Sequence, residues 1–295
     1  MTQISIWHEQ KPSRLSVAYV YAKRISRWRR NSEPFLSGDL FADKSDISVF
    51  PPKYRGQQPS IRDIKEALVI FCPSNRLQEF LDLHRNNINA KVIIAGNSDF
   101  DFHELPSGIP KSVRQLFLQN SFISDSDLVT TLPIGIENLR WGVNGHPRLM
   151  KKDKNWSLRN NMLLMGPFGL THSERYNLPY LFSNDPNIKL VENRISPKLY
   201  SRLTNDYRYV AAVRGNGVDT HRFWESLYRG AMPVVKITKW SQSLRSFDLP
   251  FVEIRDWVPD DIYSIFSDTV SRDFNPSEID SLWWPFWKNQ IIRYL

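Results

Sequence analysis

A chain of 295 residues, 41% hydrophobic and 24% charged, is long enough to bury two cores of ordinary size and is globular rather than disordered in composition. No apolar run approaches the roughly 20 residues that cross a bilayer, Met1–Arg14 lacks a continuous apolar signal core, and the single cysteine, Cys72, excludes an intrachain disulfide and fits a reducing, cytoplasmic compartment. The formal charge of +8 asks for an anionic partner or a well-solvated basic face.

Leu15–Tyr21 (LSVAYVY) reads as a strand, and the densest basic cluster, Lys23–Arg30, follows it. Anionic lipid, a phosphorylated substrate or nucleic acid would each suit that charge. No nucleic-acid module accompanies it, so nucleic acid is not expected as a partner. Arg27, Trp28, Arg29 and Arg30 are candidates for peripheral contact with an anionic inner-membrane surface. Pro34, Pro51 and Pro52 then break the pattern. Ala67–Cys72 reads as a buried strand, after which Asn75 caps an amphipathic helix with Leu77, Phe80, Leu81 and His84 near one face. Lys91–Ala95, ended by Gly96, completes a βαβ unit, and Leu128–Leu132 adds a strand before the turn-rich Pro133–Pro147.

The polar stretch Lys151–Asn155 reads as a linker. It separates residues 1–155 from a second α/β series at 156–272, with an aromatic-rich segment at 273–295. The second series is a strand at Met162–Met165, a helix at His172–Phe182, a strand at Ile188–Val191 and a helix at Pro197–Leu203. A strand at Tyr207–Val213, a helix at Asp219–Arg229, and strands at Met232–Lys236 and Phe251–Ile254 follow. Strands alternating with helices predict parallel α/β sheets. Two such halves on a short linker predict a deep cleft, with each sheet's carboxyl edge facing it. Pro276–Leu295, with Trp283, Trp284 and Trp287, is expected to be helical and to pack back on the first half.

The most informative stretch is 214–235, RGNGVDTHRFWESLYRGAMPVV. A strand ends, Arg214-Gly215-Asn216-Gly217 turns, Asp219 is placed to cap a helix that Gly230 closes, and Arg222 sits in the first helical turn. In parallel sheets, ligands bind beyond the carboxyl ends of strands, where the next helix offers free N–H groups and a positive dipole end. That layout suits a diphosphate. Glu225 shares a face with Arg222 and is placed to accept ribose hydroxyls; it also stands four residues before Arg229, the spacing of a plain surface ion pair. The pattern is not the G-x-G-x-x-G dinucleotide fingerprint. Asp99-Phe100-Asp101 and Asp125-Ser126-Asp127 have the form of metal-holding carboxylate pairs. Both lie far in sequence from the 214–217 turn and read as turn or capping residues, so neither metal nor cofactor is expected. No Cys/His cluster suits zinc, and no serine-hydrolase elbow is present.

The block Tyr207–Val235, with Leu132-Pro133-Ile134-Gly135-Ile136-Glu137-Asn138 upstream, resembles the exostosin-like glycosyltransferases and related bacterial surface-polysaccharide enzymes. Arg214-Gly215-Asn216-Gly217, Asp219, Arg222-x-x-Glu225-Ser226-Leu227 and Gly230-x-x-Pro233-Val234-Val235 match that pattern. Ser226 stands where alanine is usual, and the strand before Arg214 lacks the common cysteine or proline. The resemblance spans Leu132–Trp257. It implies a GT-B fold, two Rossmann-like domains with parallel sheets facing across a cleft, and a nucleotide sugar held mainly by the second domain.

By the same resemblance Glu225 binds the donor ribose, while Arg214, Arg222 and the Gly215, Asn216, Gly217 and Val218 backbone face the phosphates. Lys236, ending the next strand, is a further donor-site candidate. Arg175 is placed either to reach the diphosphate or to pair with Glu174 or Asp185 in solvent. The implied reaction moves a sugar to a glycan acceptor, lipid-linked ones included, in building surface polysaccharide such as O-antigen or capsule. The first half must then supply a base. Glu137 is the leading candidate with Asn138 on the acceptor side, unless the two only organise their turn; His84, His103, Asp99, Asp101 and His146 are alternatives. A non-catalytic nucleotide-binding or scaffold protein of the same fold is the rival reading.

Overall fold

Short aliphatic runs send alternate side chains to opposite faces and are buried on both, the signature of parallel sheets. The computed structural model describes residues 32–52, 56–141, 144–267 and 273–295, and in it these runs form two five-stranded parallel sheets. The Leu15–Tyr21 strand and the Lys23–Arg30 cluster lie outside the described residues. The first sheet runs in chain order: β1 (Ile47–Ser48), β2 (Val69–Pro73), β3 (Val92–Gly96), β4 (Gln115–Gln119) and β5 (Val129–Leu132). Helices α1 (Gly38–Lys44), α2 (Ile61–Glu66) and α3 (Leu77–His84) accompany it.

The second sheet contains β6 (Asn160–Met165), β7 (Ile188–Leu190), β8 (Tyr207–Ala211), β9 (Met232–Lys236) and β10 (Val252–Ile254). Its spatial order is β7-β6-β8-β9-β10. The chain steps outward from β6 to β7, crosses back to β8, and then proceeds the other way. This doubly wound order has its switch point between β6 and β8, and a crevice opens there beyond the carboxyl ends. Helices α4 (Leu178–Leu181), α5 (Pro197–Asp206), α6 (His221–Tyr228), α7 (Lys239–Leu244) and α8 (Pro259–Ser267) belong to this half, and α9 (Trp284–Ile292) ends the chain. Among the described residues, no helix is long and apolar enough to cross a membrane.

Ile70, Cys72, Ile93 and Leu116 pack with Leu77, Phe80 and Leu81 of α3 on one face of the first sheet. On the other, Val69, Phe71, Val92 and Phe117 join a cluster with Phe223, Trp224 and Tyr228 of α6 and Trp284 and Trp287 of α9. The first sheet therefore borrows half its cover from the second half and the C-terminal helix. Trp287 stacks edge-on against Phe41 and Phe117, and the buried Tyr228 hydroxyl accepts from Leu36 N and donates to Leu282 O. The two halves share a core on one side, and the C-terminal helix packs back on the first half as expected.

Several boundaries differ from expectation for local reasons. Asn75 does not cap; it sits inside a 3-10 turn, Ser74–Arg76, and α3 starts at Leu77. The helix expected over His172–Phe182 is a 3-10 turn at Ser173–Arg175 followed by α4, because Pro179 cannot donate within a continuous helix. Strand β4 hides in the sequence behind buried Gln115 and Gln119. The Gln119 side chain is satisfied by Asn97 N and Ser98 O. The stretch read as a linker is tied down: Lys152 binds Asp273 and Phe274 O, Asp153 N donates to Asn205, and Lys154 pairs with Asp206.

Candidate functional site

The loop from β8 into α6 is gripped by the first half. Arg214 Nη2 donates to Asp101 Oδ2 at 2.6 Å, Val218 N to Asp101 Oδ1 at 3.2 Å, and Asn216 Nδ2 to Asp99 Oδ2 at 3.1 Å. Asp219 N donates to Asn120 Oδ1 at 2.9 Å. A Cβ on Gly217 would lie 2.6 Å from the Asn120 amide, so this glycine is required by the neighbouring domain rather than by a ligand. Asp99 and Asp101, expected to be local turn residues, are the seat of this loop. Asp125 accepts from its neighbour Thr131 instead.

Asp219 does not cap α6; the cap is Thr220, in extended conformation. The Asp219 carboxyl is fully buried and drawn elsewhere, Oδ2 accepting from Ile134 N and Oδ1 from the Trp224 indole, each at 2.8 Å. Burial raises its pKa to about 7, against the pull of these donors. At its other end α6 closes as expected: Gly230, at φ +70°, donates to Leu227 O and Ala231 N to Ser226 O, the paired bonds of a Schellman motif.

A cleft of about 630 Å³ opens at the β6/β8 switch point, within the range of small-ligand sites. Its walls come from loops after β3, β5, β6, β7 and β8, so the carboxyl edges of both sheets meet there. Arg222 Nη2 donates to Pro167 O at 2.6 Å, and its guanidinium lies 4.9 Å from the Phe168 ring centre and 5.3 Å from that of Tyr200. Its Nη1 is buried without a partner. Glu225 Oε2 accepts from Arg229 Nη1 at 3.3 Å, with the two side chains 6% and 2% exposed. The expected ion pair is thus made in the interior, and Glu225 Oε1 is left unpaired.

Arg175 crosses between loops, donating from Nη2 to Val213 O at 2.7 Å and from Nη1 to Thr171 Oγ1 at 2.9 Å; Nε has no partner. Burial and then the like charge of Arg222 lower its pKa to about 10. Arg175 takes neither carboxylate expected of it: Glu174 pairs with Lys236 at 3.6 Å, and Asp185 accepts from the Tyr263 hydroxyl. The Tyr200 hydroxyl and Thr220 Oγ1, also in the lining, are buried and unpartnered. Four arginines (Arg175, Arg194, Arg222, Arg229) are set among five carboxyl groups in these walls. Bulk charge therefore does not select the ligand. The buried donors and acceptors without partners behind these walls include both cationic N–H groups and a carboxylate oxygen.

Gly215, Asn216 and Gly217 line the cleft with Arg175, Arg222 and Glu225, whereas Arg214, Val218 and Lys236 do not. Arg214 is spent on Asp101. Lys236 is held 3.1 Å from Asp256; that hydrogen bond and the Glu174 carboxylate outweigh its burial and raise its pKa. Glu137 lines the cleft, but Oε2 accepts from Asn144 N at 2.6 Å and Gly145 N at 3.3 Å, and Oε1 from Asn144 Nδ2 at 3.3 Å. It organises its turn. Asn138 faces inward, accepting from Asp39 N and donating to Asn97, which corrects its acceptor-side placement. His84, His103 and His146 are all outside the lining.

Sequence reasoning passed over Tyr200, Thr220, Asn120 and His221. Tyr200 arrives from a crossover helix with no local signal; His221 adjoins Arg222, and reading Asp219 as the cap obscured it. Comparison with protein-family models and with curated proteins finds no match for this chain.

Proposed function

We propose that the chain is a glycosyltransferase of GT-B architecture, moving a sugar from a nucleoside diphosphate to a glycan acceptor without a metal. The observation that carries this reading is the convergence of Arg222, Arg175, Tyr200 and Glu225, each with one buried polar atom lacking a partner, in the lining of one cleft at the switch point. Negative charge that develops on the departing diphosphate is stabilised by the two arginines and the N-terminus of α6. Glu225 Oε1 accepts a ribose hydroxyl. The basic residues Arg27, Arg29 and Arg30 favour work at the cytoplasmic face of the inner membrane, on lipid-linked surface-polysaccharide precursors.

A panel of UDP-, GDP- and dTDP-hexoses tests this directly. One nucleotide class should raise the unfolding temperature, and one sugar within it should be hydrolysed slowly to free nucleoside diphosphate, with EDTA making no difference. A panel without any stabilising nucleotide overturns the proposal. The engagement of the Glu137 carboxylate by Asn144 and Gly145 favours a second reading, a nucleotide-binding protein without turnover. Nucleotide binding with no release from any donor would select it.

A further inference from the structure

If Glu137 is occupied, the cleft must hold another base or none. His221 opens α6 directly beside Arg222 and lines the cleft, at the end of the loop from β8 into α6. Its Nδ1 lies 2.9 Å from Gly135 O. A carbonyl oxygen can only accept, so Nδ1 carries the proton in the neutral imidazole, and Nε2 carries the lone pair. Nε2 has no hydrogen-bond partner among the described residues. A base fixed by a third group and left with one open nitrogen is the arrangement of general-base catalysis.

We infer that His221, held by the Gly135 carbonyl across the domain junction, is the general base that deprotonates the acceptor hydroxyl. This rests on the glycosyltransferase reading and deepens it. Of the other carboxyl groups in the lining, Glu192 is exposed on the loop after β7, and three are engaged. Asp219 is buried with both oxygens taken, Asp99 accepts from Asn216, and Glu225 is held by Arg229. The first half contributes the orienting carbonyl and the second carries the base.

In the step itself, the acceptor oxygen bonds to the anomeric carbon as the bond from that carbon to the diphosphate oxygen breaks. The electron pair leaves with the nucleoside diphosphate. The hydroxyl proton passes to Nε2, and the imidazolium, steadied by Nδ1–H on Gly135 O, releases it to solvent. A single displacement of this kind inverts the anomeric centre.

The test is His221→Asn, whose amide nitrogen takes the place of Nδ1 and keeps the Gly135 contact while deleting Nε2. Transfer should fall by about 10²–10⁴-fold, the acidic limb of the kcat profile should vanish, and added imidazole should restore part of the rate. Affinity for UDP, GDP or dTDP, whichever the wild type binds, should stay within about threefold by calorimetry. In the free wild-type protein, ring ¹⁵N shifts should show Nδ1 protonated and Nε2 bare at alkaline pH.

An unchanged rate and pH limb, a bare Nδ1, a product of retained configuration, or affinity lost in step with rate would each overturn the inference and leave the glycosyltransferase reading standing. Wild-type protein that binds none of UDP, GDP and dTDP would remove that reading, and this inference with it.

Discussion

Arg214 and Asp101 stand 113 residues apart and meet at 2.6 Å across the domain junction. Their side chains are 22% and 16% exposed, which sets the pair apart from surface bridges that contribute almost nothing. Losing one charge-assisted hydrogen bond here should cost about 1.5–3 kcal/mol. Arg214→Met is therefore expected to lower the urea midpoint, and Asp101→Asn should add little on top, since both remove the same contact. Nucleotide affinity should move by less than about threefold, because Arg214 is outside the cleft lining. A tenfold loss would mean that Arg214 leaves Asp101 for the ligand.

Arg222 is the contrasting case. Its guanidinium is fixed by Pro167 O, Phe168 and Tyr200, while Nη1 is buried without a partner at the cleft wall. A charge-assisted bond from that atom to a phosphate is worth about 1.5–3 kcal/mol, so Arg222→Met should weaken binding of the stabilising nucleotide by roughly 10–150-fold in calorimetry. Arg222→Lys should not recover it, since an ammonium cannot reproduce both the ring contacts and the fixed fork. Full affinity in the lysine variant would show that only charge matters there.

The contrast between these arginines marks where sequence reasoning stops. The turn after β8, the helix behind it and the closing Gly230 are legible because each is a local event, set by a strand end, an amphipathic period and a left-handed glycine. Strands β2, β3, β6 and β9 are legible as aliphatic runs. What Arg214 touches is decided by Asp101, in another half of the chain, and no local pattern carries that. The same holds for Asn120 against Gly217 and for Tyr200 over Arg222. Strand β4 was hidden by its own chemistry, since buried glutamines at both ends imitate a loop. Asp219 looked like a cap because it is the right residue one position early; burial between Ile134 N and the Trp224 indole turned it to another use.

That burial makes Asp219 a source of pH dependence. Its pKa rises from 3.8 in the unfolded chain to about 7 in the fold, so between those values the folded protein binds more protons. Stability is then highest at the acid end of this window and falls as pH rises from about 4 to about 7, by up to roughly 4 kcal/mol. Asp219→Asn should abolish that slope. It should also cost about 1–3 kcal/mol at pH 5, because the amide NH₂ must face either Ile134 N–H or the indole N–H. Urea midpoints at pH 5 and pH 8 measure both effects, and a slope that persists in the variant would assign it to another group.

Glu225 and Arg229 offer a test of how the cleft floor is held together. Both are buried one helical turn apart, and Arg229 Nε also donates to Leu149 O at 3.0 Å. Removing the arginine leaves a desolvated carboxylate with no counter-charge, which typically costs about 3–5 kcal/mol. Glu225→Gln keeps an oxygen for Arg229 and removes only the charge, so a smaller loss is expected from it. Arg229→Met combined with Glu225→Gln should then be less damaging than the two single losses summed, because the double variant no longer buries an unpaired carboxylate. Single and double variants compared by urea unfolding give the coupling directly. Losses that add to within about 0.5 kcal/mol would show that the two residues act independently, and that Glu225 owes its position to packing rather than to Arg229.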